Sequence, residues 1–254
     1  MSDTARLWLQ RGILLAALLA LWEAFARLIS DRWISSPLAI AQRLGEWMAG
    51  DLWLNLLVTC TEIVTGLAIG LPLGVLTGML LGRSVRAAAV FRPYIVLLNS
   101  LPIVAMTPLL IMWFGLGMEP KIVLVAFVSF LLMFFNAFSG ARSVDQELLD
   151  SLELMGATGL ERFVKVVLPS SLTWTIAGLR NALPYALIAA VIGEMMLSRN
   201  GLGHLITAAA QQFDMTGVYT ALFVLMIVGG LVNEATTLIE NRLLRWRHLE
   251  TRGR

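Results

Sequence analysis

The sequence has little of what soluble enzymes use for chemistry. Its 254 residues include one cysteine and two histidines, and only 14% of them are charged. A single cysteine, Cys60, excludes a disulfide framework within the chain. His204 and His248 lie too far apart in the predicted topology to form a metal site with it. We therefore expect neither disulfides within the chain nor a bound metal.

Lysine is equally scarce, and its positions exclude one source of energy. Neither Lys121 nor Lys165 ends the pattern G-x-x-x-x-G-K-[ST], whose backbone N–H groups cradle nucleotide phosphates. No pair of polar residues has the spacing of a catalytic site either. We expect no enzymatic activity, no ATP hydrolysis and no cofactor in this chain.

Apolar residues are abundant, at 58% of the chain, which excludes an ordinary soluble domain. A helix needs about 20 apolar residues to cross a hydrocarbon core about 30 Å thick. Six runs reach this length. They predict an all-α, polytopic membrane protein with six transmembrane helices, at about 11–29, 56–81, 90–115, 121–141, 172–197 and 218–241.

Basic residues predict the orientation of these helices. If the N-terminus is cytoplasmic, most arginines fall in the inner segments, as the positive-inside rule requires. Both termini are then cytoplasmic. The basic tail 244–254 is interpreted as an anchor to lipid headgroups rather than a site for nucleic acid.

The first loop divides the predicted organisation. Ser36 and Pro37 form a helix start, and the apolar residues that follow recur at helical spacing, which predicts an amphipathic helix on the outer membrane surface. We therefore expect an N-terminal part (1–55), a transmembrane core (56–243) and the tail.

The second predicted span carries glycines at every fourth position. Such a ladder lets another helix approach backbone to backbone. It is compatible with packing inside the chain alone or with a functional gate. Its members are Gly66, Gly70, Gly74, Gly78 and Gly82.

A polar segment between two spans, residues 142–170, predicts two short helices and is called the helix-pair loop below. A capping box at Ser143 begins the first helix, and Gly156 ends it in a left-handed conformation. A second capping box at Thr158 begins the next helix, and Pro169 closes the unit. The apolar faces of both helices must be buried, either against the inner helix ends of this chain or in a groove of a partner.

The helix-pair loop resembles the EAA motif of permease subunits from ATP-binding-cassette (ABC) importers. That motif reads E-A-A, three residues, G, nine residues, I-x-L-P. The glycine, the spacing and the closing Leu-Pro match, whereas the opening triplet matches only at its acid. The resemblance assigns the ATPase-coupling role to Asp150, Ser151, Leu152, Gly156, Ala157, Leu168 and Pro169.

Two further segments, 100–117 and 193–203, resemble the taurine, sulfonate and nitrate branch of these permeases, and the likeness runs from about 34 to 242. The resemblance implies a type I ABC importer permease fold in a bacterial inner membrane. It also implies a pair of ATP-binding subunits, a periplasmic or lipid-anchored substrate-binding protein and a second permease copy as partners, in a homodimer. The expected substrate is a small, anionic, sulfonate- or nitrate-like solute.

Ionisable residues inside predicted spans mark candidate pathway sites, because they are costly in a bilayer. Glu62, Arg180 and Glu194 are predicted to line the translocation path or to contact the binding protein. For the two glutamates the alternative is a helix-end charge in water, and for Arg180 it is snorkelling to headgroups. Glu23 and Arg27 are predicted to pair with each other.

Two asparagines in predicted spans, Asn99 and Asn136, are expected to form interhelical hydrogen bonds.

A different function class remains open from the residues alone. An ion-coupled secondary transporter or channel, acting without an ATPase, would use Glu62, Glu194 and Arg180 as its ion or substrate groups. Such transporters often contain an internal repeat with interrupted helices, and the sequence shows no convincing one.

Overall fold

The structure, a computed structural model, describes residues 3–29 and 33–243. These ranges are almost entirely helical and contain no β-strand. Short 3₁₀ (Ile103–Met106) and π-helical (Phe163–Val167) turns interrupt the helices. The helices are α1 (Asp3–Ile29), α2 (Pro37–Ala49), α3 (Leu52–Arg83), α4 (Val85–Asn99), α5 (Thr107–Phe114), α6 (Glu119–Arg142), α7 (Gln146–Leu154), α8 (Gly159–Arg162), α9 (Leu168–Leu197), α10 (Leu202–Gln211) and α11 (Met215–Leu243).

Five of the described helices are long and apolar enough to cross a membrane: α1, α3, α6, α9 and α11. They coincide with five of the six apolar runs. α1 begins eight residues before its predicted start, and the other four begin or end within four residues of the predicted bounds. The all-α, membrane-spanning architecture is therefore confirmed. The tail 244–254 lies outside the described residues.

The remaining apolar run, at 90–115, is divided, so the prediction of one continuous helix there is wrong. α4 ends at Asn99, and α5 begins at Thr107, with Pro108 in its first turn. Pro102 lies in the break between them. Proline offers no N–H and disfavours helical backbone in the residue before it, which explains the interruption.

The glycine ladder of α3 packs directly against α6. A Cβ atom added at Gly74 would lie 2.6 Å from the carbonyl oxygen of Phe130, and one added at Gly78 would lie 2.6 Å from that of Phe134. Real Cβ atoms do not approach other atoms so closely, so only glycine allows this contact. The ladder is therefore used for packing within the chain.

α9 lies on the other side of α6 and approaches it almost as closely. A Cβ added at Gly178 would lie 2.8 Å from the Cβ of Asn136. The apolar core between α3, α6 and α9 includes Ile63, Val125 and Ala190. α6 is thus the central helix of the fold.

Other helices of the described ranges lie around this centre. α2 begins as predicted, with the Ser36 hydroxyl accepting a hydrogen bond from the Ala39 N–H at 3.2 Å. A small second core of Leu52, Leu202 and Val224 joins α3, α10 and α11. Most side chains of α1 are exposed.

Two asparagine predictions have different outcomes. The side chain of Asn136 donates to the carbonyl oxygen of Leu132 in its own helix at 2.8 Å, so the predicted interhelical hydrogen bond is wrong. The close approach of Gly178 leaves no partner group there, and the amide turns back to its own backbone. The side chain of Asn99 lies outside what the structure describes.

We predict that Gly74→Ala destabilises the protein by about 1–3 kcal/mol, the usual cost of overpacking. The added methyl would collide with the backbone of α6 and push the two helices apart. The matched control is Gly230→Ala in α11, where an added Cβ meets nothing within 4 Å. It should be neutral or stabilising, because alanine favours helix. Thermal unfolding in detergent measures both, and equal melting temperatures would contradict the packing argument.

Candidate functional site

The helix-pair loop has a different first cap from the one predicted. The Asp145 side chain caps α7 by accepting from the Glu147 N–H at 2.9 Å. The predicted capping box at Ser143 is wrong, because Ser143 still belongs to the end of α6. Its N–H donates to the Ser139 carbonyl oxygen at 3.0 Å, and its hydroxyl donates to that of Gly140 at 2.9 Å.

The turn between α7 and α8 matches the prediction. Gly156 has φ +82°, a left-handed conformation in which residues with a side chain are strained. The N–H of Ala157 then donates to the Leu152 carbonyl oxygen at 3.0 Å, which satisfies the end of α7. A Cβ at Gly156 would meet nothing within 4 Å. Backbone conformation, rather than space, therefore accounts for the glycine.

The second capping box is confirmed at Thr158. Its N–H donates to the Glu161 carboxylate at 2.9 Å, and its hydroxyl accepts from the Glu161 N–H at 3.3 Å. Arg162 forms an ion pair with Glu153 of α7. This pair joins the two short helices across the glycine turn, so they form one unit.

The apolar side chains of this unit are not covered by the chain itself. Leu154 is 90% exposed, Met155 82% and Leu160 72%. Leu148 and Val164 are also exposed. Of the two burial alternatives, packing against the inner helix ends of this chain accounts for Val167, which is buried, but not for these five residues.

The residues that the resemblance assigns to the coupling role lie in this unit. Asp150 accepts a hydrogen bond from Gln146 at 2.9 Å, and the Ser151 hydroxyl donates to the Glu147 carbonyl oxygen at 2.8 Å. Both are exposed, as is Pro169, whereas Leu152 and Leu168 are half-buried. Their coupling role stays a prediction.

Glu194 lies at the opposite end of the molecule and is fully buried. Its carboxylate accepts from the Thr59 hydroxyl at 2.6 Å and from the Gly203 N–H at 2.8 Å. The Thr59 hydroxyl in turn accepts from the Leu202 N–H at 3.0 Å, and Asn55 accepts from the Gly201 N–H at 2.7 Å. Side chains of α3 and α9 thus satisfy the free N–H groups at the start of α10, where a negative charge is favourable.

Glu62 is also fully buried and forms an ion pair with Lys121, the third residue of α6. The Lys121 ammonium group also donates to the Ser198 hydroxyl at 3.0 Å. These contacts tie α3, α6 and the loop after α9 together. Asn55, Thr59, Glu62, Lys121 and Glu194 are called the buried carboxylate cluster below.

Neither glutamate is a water-exposed helix-end charge, so that alternative is wrong. A translocation or binding-protein role for Glu62 and Glu194 stays a prediction. The structure brings these two together but not Arg180, which is exposed and pairs with Glu240 of α11 at 3.3 Å. The described residues hold no group of His, Cys, Asp or Glu side chains suited to a metal ion.

Sequence reasoning missed the partners in the buried carboxylate cluster, although a signal was present. Asn55, Thr59 and Glu62 follow each other at four- and three-residue steps and so share one face of α3. A polar face within the first turns of an otherwise apolar span indicates buried hydrogen bonds. Beside the cluster lies an open cleft of about 400 Å³, whose polar lining residues are Lys121, Ser198, Arg199 and Asn200.

Comparison with known sequences places this arrangement among transport proteins. The family model described as "binding-protein-dependent transport system inner membrane component" matches residues 70–245. The putative aliphatic sulfonates transport permease protein SsuC of Bacillus subtilis is 30% identical over 244 residues, which cover 95% of this chain and 88% of that protein. The formylaminopyrimidine transport permease protein ThiX of Halalkalibacterium halodurans is 30% identical over 231 residues, covering 91% and 92%. The riboflavin transport system permease protein RibX of Chloroflexus aurantiacus is 29% identical over 237 residues, covering 92% and 88%.

Solved structures share the fold at lower sequence identity. The inward-facing MetNI methionine ABC transporter contains a chain with a TM-score of 0.60 and 22% identity, covering 75% of this chain and 93% of that one. An amino acid ABC transporter crystallised with histidines contains a chain with a TM-score of 0.58 and 16% identity, covering 74% and 92%.

We predict that Lys121→Met destabilises the protein by about 3–5 kcal/mol, because it leaves Glu62 buried without its counter-charge. The double variant Lys121→Met, Glu62→Gln should recover most of this loss, since Glu62 then carries no charge that needs a partner. Thermal unfolding of the single and double variants measures both values. A double variant as unstable as the single one would show that the ion pair is not the source of the effect.

Proposed function

This chain belongs to the family of binding-protein-dependent transport system inner membrane components, and from that membership we propose that it transports solute only together with a separate ATP-binding subunit. The fold is that of ABC importer permeases, and the chain is a multi-pass membrane component. The proposal concerns the partners, the substrate and the site at which the ATPase binds.

One observation supports the helix-pair loop as the docking site. In the helix-pair loop, Leu154, Met155 and Leu160 are largely exposed on a unit that the Glu153–Arg162 ion pair holds together. Apolar side chains presented on a short, capped helix pair are typical of helix-in-groove binding. We assign the groove to the ATP-binding subunit, with a pair of such subunits for a homodimer of this chain.

The family description supports a substrate-binding protein as a further partner, because it includes dependence on a binding protein. A periplasmic or lipid-anchored binding protein delivers the solute to the end that carries the buried carboxylate cluster. Both termini and the helix-pair loop then lie in the cytoplasm of a bacterium with the chain in its inner membrane. The catalytic step of ATP hydrolysis takes place on the partner subunit.

The proposed substrate is supported by a positive charge in the cleft rather than by the names of the relatives. Relatives are named for sulfonates, for formylaminopyrimidine and for riboflavin, so similarity at this level does not select among solutes. We propose a small anionic solute of the sulfonate or nitrate kind. Arg199 lines the cleft next to the buried carboxylate cluster and supplies a positive charge there.

The ion-coupled transporter acting alone is not favoured. Its proposed groups are already engaged: Glu62 with Lys121, Glu194 with Thr59 and the start of α10, and Arg180 with Glu240. Moving a coupling ion through them would require breaking contacts that hold the helices together.

The partner requirement is tested in proteoliposomes. Vesicles that contain this chain with its ATP-binding subunit and binding protein should accumulate solute when ATP is supplied. Vesicles with this chain alone should not. Accumulation against a gradient by the chain alone would overturn the proposed function.

For the docking site, we predict that Gly156→Asp leaves the protein inserted but lowers both recovery of the ATP-binding subunit and ATP-driven uptake. Aspartate is one of the few residues with a side chain that adopts the left-handed conformation, although with some strain. The new carboxylate would project into open space beside Leu154 and Met155. Docking would then have to desolvate a charge.

Gly156→Asn is the matched control, because it has the same shape and the same tolerance of the turn but no charge. It should retain more recovery and uptake than Gly156→Asp. Wild-type values for both measurements in Gly156→Asp would contradict the assignment of this surface.

A further inference from the structure

Arg83, the last residue of α3, makes two contacts with the helix-pair loop. Its guanidinium Nη2 donates to the carbonyl oxygen of Gly159, the first residue of α8, at 2.9 Å. The guanidinium carbon also lies 5.6 Å from the centre of the Phe163 ring, in a cation–π arrangement. One side chain thus holds both the start of α8 and the turn that follows it.

The α3 side of this contact is rigid. Gly82, which precedes Arg83, belongs to the glycine ladder, and a Cβ there would lie 2.6 Å from the Phe138 carbonyl oxygen of α6. Backbones at this distance cannot slide past each other without collision. α3 and α6 therefore move as one body up to the residue that carries the guanidinium.

The loop side is rigid as well. α7 and α8 are joined by the Glu153–Arg162 ion pair, and the Thr158 capping box fixes the start of α8. Displacing the exposed apolar residues therefore displaces Gly159 as well, with little local rearrangement.

The covalent connections of the loop lead to α6 and α9 rather than to α3. At one end, Val144 and Asp145 separate the end of α6 from α7 without helical structure. At the other end, the chain stays helical from Gly159 to Leu197, with a π-helical turn at Phe163 to Val167. Such turns are frequent at functional sites. Arg83 adds a direct contact between the loop and α3.

We propose that Arg83 is a positioning residue that transmits movement of the docked helix-pair loop to the α3–α6 body. The proposal rests on the proposed function, since it requires an ATPase that moves the loop. Without Arg83 the loop still docks, but its movement reaches α3 only indirectly, through the covalent connections to α6 and α9.

Arg83→Ala tests this in proteoliposomes with the ATP-binding subunit and binding protein. Recovery of the ATP-binding subunit and ATP hydrolysis should stay at the native level, because the exposed apolar residues are unchanged. Solute transported per ATP hydrolysed should fall roughly twofold to tenfold, the range for loss of one net hydrogen bond.

Arg86→Ala is the matched control, because it removes the same charge three residues later at an exposed position of α4. It should leave the transport ratio unchanged. Arg83→Lys keeps one donor but loses the planar stacking surface, so it should fall between native and Arg83→Ala. Phe163→Leu should lower the ratio in the same direction by removing the ring, and it decides the question if Arg83→Ala does not insert.

A second readout follows movement directly through one introduced cysteine, after the native Cys60 is removed. In a Cys60→Ala background, Asn200→Cys reports accessibility at the end opposite the loop. ATP binding should change its rate of reaction with a membrane-impermeant thiol reagent, and Arg83→Ala should suppress that change. Arg86→Ala should not.

Two results would overturn the proposal. A transport ratio in Arg83→Ala equal to that in Arg86→Ala would show that Arg83 transmits nothing. Loss of the ATP-binding subunit together with uptake would show that Arg83 only shapes the docking surface. If the native chain itself neither recovers an ATP-binding subunit nor supports ATP-driven uptake, the proposed function fails instead, whatever Arg83 does.

Discussion

The backbone contact between α3 and α6 is the constraint on which the rest of the structure depends. Five glycines on one face of α3 bring it so close to α6 that any side chain would collide with a carbonyl oxygen or a Cβ atom of the other helix. In a bilayer, apolar side chains gain little from contact with each other rather than with lipid, so close packing of small residues is what holds helices together. The α3–α6 body then supports different chemistry at its two ends.

At one end, most of the buried polar groups are paired within the chain. The free N–H groups at the start of α10 donate hydrogen bonds to Asn55 and Thr59 of α3 and to Glu194 of α9. Lys121 of α6 forms an ion pair with Glu62. At the other end, the helix-pair loop is internally capped but leaves apolar side chains in solvent. A buried polar network stabilises one arrangement, whereas an exposed apolar surface needs a partner. This difference is why the docking role is assigned to the loop.

Short sequence patterns correctly predicted several features that depend only on neighbouring residues. The Ser36 cap, the left-handed Gly156 turn and the Thr158 capping box each need only neighbouring residues, and all three occur as predicted. Ser143 carried an equally good local signal, but α6 continues far enough to use its N–H and hydroxyl, and Asp145 caps α7 instead. Asn136 was expected to bond across helices, but the close approach of Gly178 left it only its own backbone.

By itself, the sequence determined the all-α membrane class, the positions of five spans and the capped helix pair, because apolar length, helix periodicity and caps are properties of consecutive residues. Only the tertiary structure decided which distant side chains contact each other. It showed that Glu62 meets Lys121, that Glu194 meets the start of α10 and that Arg83 reaches Gly159 and Phe163. It also divided the run at 90–115 into two helices. These outcomes join residues far apart in the chain or set competing local preferences against packing, and no short window of sequence contains that information.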